Sequence, residues 1–348
     1  MRGFRDRDFL RTVEGLLFCV VGGTHPKDRV IAYLKYVPDE RGRWAGEGVR
    51  YRRALRAYTI PDLVETLRIV EREHPEYIYY SRVFNTRMTA VPRSRISRHY
   101  IPERRLSDIL RRGVRDPLER RVAELASLLE DFGVPVEHLG VTGSILLGIH
   151  QPFSDIDMTV YGLEGGHAAM EALREAYGRR GLGVERLKGE ALVEWCRNRA
   201  ERHPLTMEEA KRIYERKWNI GVFRGVRFSI HPVRLEWESE VYGSRIYKPE
   251  GVVTIRGTVV DAGESIFLPA VYELGDVEVL EGPEVDDIRE ACSYESLYDN
   301  LAVEGEAIEV KGKLERVTDL DEGVEYHRVL VGSLQGMGGE YMKPISPR

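Results

Sequence analysis

Two aspartates on either side of one apolar residue, separated by ten intervening residues from a Gly-Ser pair, tie this chain to a particular order of turn, helix and strand. Asp155 and Asp157 flank Ile156, and Met158 and Val160 continue the alternation. On a strand, that period of two turns both carboxylates to one face and Ile156, Met158 and Val160 to the core. Like charges so close repel unless a divalent cation lies between them, so the spacing predicts a Mg²⁺ or Mn²⁺ site with Asp155 and Asp157 as ligands. Upstream, Gly143 lets the backbone approach a ligand closely, and the apolar run from Ile145 can begin a helix whose free amides face an anion. A phosphate cradle beside a metal site is equipment for phosphoryl or nucleotidyl transfer.

The surrounding chain is globular in composition. With 348 residues, 42% of them hydrophobic and 31% charged, two or three compact units are expected and disorder is excluded. No apolar run approaches the roughly 18 residues needed to cross a bilayer. The charged first residues lack a signal-like apolar stretch, so a cytoplasmic protein with no membrane partner is expected. Cys19, Cys196 and Cys292 are too scattered for a disulfide framework or a structural zinc. Abundant Arg and Glu beside few Asn and Gln match thermophile usage.

Charge is divided unevenly. Residues 251–348 hold 21 Asp and Glu against 8 Lys and Arg, a net of −13 in a chain of net −5, which leaves the first 250 residues at +8. The acidic end therefore suits a basic protein partner. Between Arg82 and Arg121, twelve arginines face only Glu103, Asp108, Asp116 and Glu119. Such a stripe can neutralise RNA phosphates, and it can equally be a solvated linker and helix face.

Periodicity suggests four blocks. Residues 1–90 read as a small α+β domain: apolar runs at 13–21 and 29–37 pair as strands, and a helix opens at Pro61. Residues 91–115 read as an arginine-rich linker and helix. In residues 116–245, Asp116-Pro117 caps a helix carrying Leu118, Val122, Leu125 and Leu129, and Gly133 stops it. The motif follows, then helices at 165–178 and 191–199 and one opened by the capping box Thr206-Met-Glu-Glu209. A hairpin turns at Arg224-Gly225. Lys211, Arg212 and Lys217 are either solvated helix charges or contacts for a triphosphate. Residues 250–348 read as a β-rich domain, with strands at 252–260, 266–272, 307–314 and 325–331 that suggest an OB-like barrel. The glycines of 332–339 lack the Lys-Ser or Lys-Thr of a P-loop and read as a flexible loop.

Gly143-Ser144 followed by Asp155-Ile-Asp157 resembles the signature of the nucleotidyltransferase superfamily that includes DNA polymerase beta, and Ser154-Asp-Ile-Asp157 resembles its archaeal CCA-adding form. The chain as a whole looks most like an archaeal group of predicted nucleotidyltransferases. The resemblance implies an α+β fold with a central mixed sheet, Mg²⁺-dependent transfer of an NMP from an NTP to a hydroxyl of RNA, protein or a small molecule, and ATP or another NTP as substrate. It implies that Gly143, Ser144 and Ser154 bind the nucleotide while Asp155 and Asp157 hold the metal. The family's third carboxylate, which activates the attacking hydroxyl, belongs on a later strand, where this chain has Ser229 and His231. Either His231 or Glu236 takes that part, or the chain binds nucleotide or RNA without turnover.

Overall fold

The computed structural model describes residues 2–55 and 59–345, so the outer ends of the expected blocks 1–90 and 250–348 lie outside it. Three β-sheets and seven α-helices among the described residues make the architecture α+β. Contacts divide the chain into two compact units that interleave along the sequence. One takes the chain up to Leu55, Ala90–Lys188 and Trp218–Ser239; the other takes the stretch ending at Thr89, Gly189–Lys217 and the chain from Glu240. The sequence suggested consecutive blocks instead. The stretch 91–115, read as a linker and helix, holds the end of the strand Thr86–Pro92, the strand Ile96–Tyr100 and the helix Pro102–Arg112.

In the first unit, a five-stranded mixed sheet runs Val184–Glu185, Ile220–Phe223, Val226–Val233, Ile156–Tyr161, Leu139–Val141. The Asp157 strand lies one in from the edge, parallel to Val226–Val233 and antiparallel to Leu139–Val141. Arg224 and Gly225 both take positive φ, 45° and 86°, the two-residue turn that matches the twist of a hairpin. The helices Pro117–Asp131 and Leu163–Gly178 contribute to the same apolar core as the sheet. Asp116 caps the first of them, its Oδ1 accepting from the Leu118 and Glu119 amides at 2.8 and 3.0 Å. Val122, Leu125 and Leu129 are essentially fully buried, and each such side chain contributes about 1.5–3 kcal/mol.

A second sheet of this unit orders Trp44–Gly46, Val49–Arg53, Arg29–Pro38, Leu17–Val20, Phe9–Thr12 and Ile96–Tyr100. Its Phe9, Leu17, Tyr36, Tyr51 and Tyr100 share a core with Leu146, Leu147 and Ile149 of the motif region. The sheet built by the first hundred residues is thus packed onto the motif helix. Several arginines of the 82–121 stripe are spent on ion pairs: Arg95, Arg98, Arg105, Arg112 and Arg121 meet Glu14, Glu47, Glu119, Asp108 and Glu124.

The second unit is built on a ring. Strands Arg245–Asp261, Ala270–Glu281, Ile288–Ser293, Val324–Val331 and Ala307–Asp319 pair in that order, and the last pairs back onto the first. The pairing of Ile288–Ser293 with Val324–Val331 is parallel and the others are antiparallel. The strand expected at 266–272 begins later, at Ala270: Ile266 and Phe267 are buried in the turn before it, and Pro269 has no N–H to donate to a ladder. The glycine loop is tied down by Glu340, whose Oε2 accepts from the Gly332 and Ser333 amides at 2.8 and 2.6 Å.

Two further segments complete this unit. Ser81 and Tyr79 meet the Tyr242 hydroxyl at 2.7 and 3.0 Å, and Phe84 stacks on Tyr247 with ring centroids 5.5 Å apart. Lys217, read from sequence as a surface charge or triphosphate contact, is instead fully buried. Its Nζ donates to the Ser296 and Asp299 carbonyls at 2.9 and 2.8 Å and to Asp299 Oδ1 at 2.5 Å.

Candidate functional site

Register sets the site. Ser229 stands directly across from Asp157 and His231 across from Thr159, because the two strands run parallel. Ser229 Oγ donates to Asp157 Oδ1 at 2.7 Å and lies 2.9 Å from His231 Nε2, while the ring itself is 3.9 Å from Asp157. With the hydroxyl proton on Asp157, the Ser229 oxygen can accept from His231. Asp157 keeps 35% of its side-chain surface open. On its other side, the Thr142 amide donates to the Asp157 carbonyl at 2.8 Å, and Gly143 follows with φ of 66°. A Cβ on Gly143 would lie 2.6 Å from Asp157 Oδ2. The turn therefore lays bare backbone against the carboxylate, whereas the sequence suggested only a close approach to a ligand.

That contact makes Gly143→Ala a sensitive probe. A side chain there meets both left-handed backbone strain and the carboxylate, so the variant should lose about 1–3 kcal/mol of stability in urea denaturation. An unchanged midpoint would show that the turn relaxes without cost.

Charges around Asp157 come from the other sheet of the unit. Burial alone would raise its carboxyl, but His231, Lys35 and Ser229 outweigh burial and hold it well below the usual carboxylate range. Burial and Arg7 push the His231 ring down, so at neutral pH it is uncharged and acts on Asp157 through Ser229 as a hydrogen-bonding neighbour. Asp155 sits exposed just before the strand; desolvation and the Asp157 charge push it up, with Arg227 and Arg53 pulling the other way. Ser144 is buried and its carbonyl accepts from the Ile149 amide at 3.0 Å, while Ser154 Oγ accepts from the Gln151 amide at 3.0 Å. Both serines shape the loop between turn and strand.

Glu236 is committed elsewhere. Its carboxylate accepts from the Gly3 amide at 2.7 Å and from Arg5 at 3.0 and 2.7 Å, contacts that hold it at about 2 against the effect of burial. Glu238 accepts from the Leu163 and Leu235 amides at 2.9 and 2.7 Å. His231 is thus the group of the expected pair that the fold brings to Asp157. Among the described residues, Asp116, Glu119 and His150 bring three potential metal-ligand atoms within 4.8 Å of one another. Those groups already cap the helix, meet Arg105 and bond one another, with His150 Nε2 2.8 Å from Asp116. Lys35, Arg7 and Arg53 were not singled out from sequence for this site, and Ser229 was noted only as standing where an acid was expected. The one local signal was the run from Arg29 to Pro38, where Lys35 interrupts an apolar stretch and is only 7% exposed.

No helix among the described residues is long and apolar enough to cross a membrane. No family model matches the chain, and no solved structure matches it. One curated relative, the uncharacterized protein MJ1086 of the archaeon Methanocaldococcus jannaschii, is 33% identical over 344 residues, which covers 97% of this chain and 98% of the relative. The match takes in both interleaved units, and on that extent of identity the chain belongs to the same family as MJ1086.

Proposed function

We propose that this protein is a Mg²⁺- or Mn²⁺-dependent nucleotidyltransferase. The observation that carries the reading is the Gly143 turn laid against Asp157, on a strand whose parallel neighbour presents Ser229 and His231 to the same carboxylate. Asp155 and Asp157 supply hard oxygen donors with an accessible face, which suits these cations. Bound there, the cations would offset charge on the leaving pyrophosphate and lower the pKa of the acceptor hydroxyl. The acceptor oxygen attacks the α-phosphorus of an NTP, the bond to the bridging oxygen breaks, and pyrophosphate leaves. Uncharged His231 can take the acceptor's proton, with Ser229 orienting the ring and Asp157 offsetting the charge it gains. The ring of five strands fits an OB-like barrel by its strand order, and its acidic stretch suits a basic protein better than a phosphate backbone.

Wild-type protein incubated with α-labelled NTP, Mg²⁺ and hydroxyl acceptors should transfer label and release pyrophosphate, and a chelator should stop both. A serine where the family carries its third acid favours a second reading, nucleotide binding without turnover. NTP bound with Mg²⁺ but no pyrophosphate with RNA, protein or small hydroxyl acceptors would establish that reading.

A further inference from the structure

Beside Asp155 lies a surface that nucleotidyl transfer as such does not require. The hairpin of Trp44–Gly46 and Val49–Arg53, with the turn before it, carries Arg41, Arg43, Arg50, Arg52 and Arg53 against Asp39, Glu40 and Glu47, and Asp39 takes up Arg52 at 3.1 Å, which leaves the balance basic. Aromatic rings are interleaved with these cations. Arg53 lies over Trp44 with its guanidinium carbon 4.9 Å from the ring centroid, and Arg43 lies over Phe153 at 4.7 Å. Trp44 and Phe153 meet edge to face at 6.0 Å, and Tyr36 meets Trp44 at 5.6 Å.

The platform is fastened to the motif. Phe153 stands two residues before Asp155, and Gln151 Nε2 donates to the Ala45 carbonyl at 3.3 Å. Phe153 nevertheless keeps 53% of its surface exposed. Planar rings and guanidinium planes offer stacking to bases, and the same guanidiniums neutralise phosphates. An acidic peptide would match the charge but make no use of the stacked planes.

We infer that the Arg43–Trp44–Arg53–Phe153 platform holds the 3′-terminal nucleotides of a single-stranded nucleic acid and presents its terminal hydroxyl to the site at Asp155 and Asp157. This rests on the nucleotidyltransferase reading and names its acceptor. The Arg82–Arg121 stripe becomes secondary, since many of its arginines are engaged by carboxylates.

Fluorescence anisotropy of the full chain in chelator, with labelled 12-nucleotide single strands of RNA and of DNA, separates this from catalysis. We expect binding of at least one single strand, weaker binding of the duplex, and a loss of about tenfold or more for Phe153→Ala and for Arg43→Gln, as the loss of a stacking partner gives. The Asp155→Asn/Asp157→Asn protein should bind as tightly as wild type or more so. RNA and DNA arms tell which strand is held. Equal binding by Phe153→Ala and wild type of matching thermal stability would overturn the inference. So would duplex bound as tightly as single strand, an acidic peptide bound in its place, or loss of ATP binding alone in Phe153→Ala. Single strands bound normally by a protein that never transfers label would sink the proposed activity and leave the platform standing.

Discussion

Asp157→Asn should lower label transfer at least about 10³-fold, since a metal-holding carboxylate contributes several kcal/mol to a charged transition state and each 1.4 kcal/mol is tenfold. The substitution is conservative for the fold. An asparagine Oδ1 can still accept from Ser229, which now bonds Asp157 Oδ1 at 2.7 Å, and the position is partly open. At neutral pH stability should nonetheless fall, because the ionised carboxylate is favoured in the fold by His231, Lys35 and Ser229 and an amide keeps only the Ser229 bond; relief of the Asp155 carboxyl offsets part of that loss. Mn²⁺ binding followed by electron paramagnetic resonance, alongside kcat/KM, separates a lost metal from a lost fold. A variant within tenfold of wild type, with Mn²⁺ affinity intact, would remove Asp157 from the reaction.

Lys217→Met should cost about 3–5 kcal/mol, the range for removing one partner of a buried ion pair. The ammonium is fully enclosed; burial lowers its pKa and Asp299 opposes that shift. Methionine fills similar space but takes the Lys217 ammonium away from Asp299, which is 5% exposed, and from the Ser296 and Asp299 carbonyls. Urea denaturation followed by far-UV circular dichroism measures the loss. Adding Asp299→Leu should recover part of it by removing the stranded charge. A single-variant cost below about 1 kcal/mol would show that water replaces the ammonium at this point.

Local patterns were readable where one physical cause dominates. The Asp116 cap, the Thr206–Glu209 capping box and the Arg224-Gly225 hairpin depend on neighbours within four residues, and each is present. The Asp157 strand was legible because period-two alternation has one solution against a buried sheet. What lay beyond reach was partnership across long separations. Glu236 could not be excluded from the site until Gly3 and Arg5 were found holding it, more than 230 residues away in sequence. Lys217 follows a helix whose exposed face is charged, and its burial depends on Ser296 and Asp299, about 80 residues on in sequence. Composition could not choose between the two readings of the 82–121 arginines because it counts charges locally, whereas Glu14 and Glu47 reach Arg95 and Arg98 through the sheet. The interleaving of the units has no local signature at all.

That interleaving sets a timetable for synthesis. Ser81 leaves the ribosome 161 residues ahead of Tyr242, the hydroxyl it finally meets. At about 5–20 residues per second, its wait is roughly 8–30 s. The ring strand Arg245–Asp261 waits further for Ala307–Asp319 before it can close. The first unit is complete once Ser239 has emerged, while Ile78–Ser81, already paired with Thr86–Pro92, must wait for Tyr242 and the chain beyond it before its own unit can close. Protease sensitivity of stalled nascent chains should therefore concentrate between Thr59 and Thr89, even though these residues lie early in the sequence.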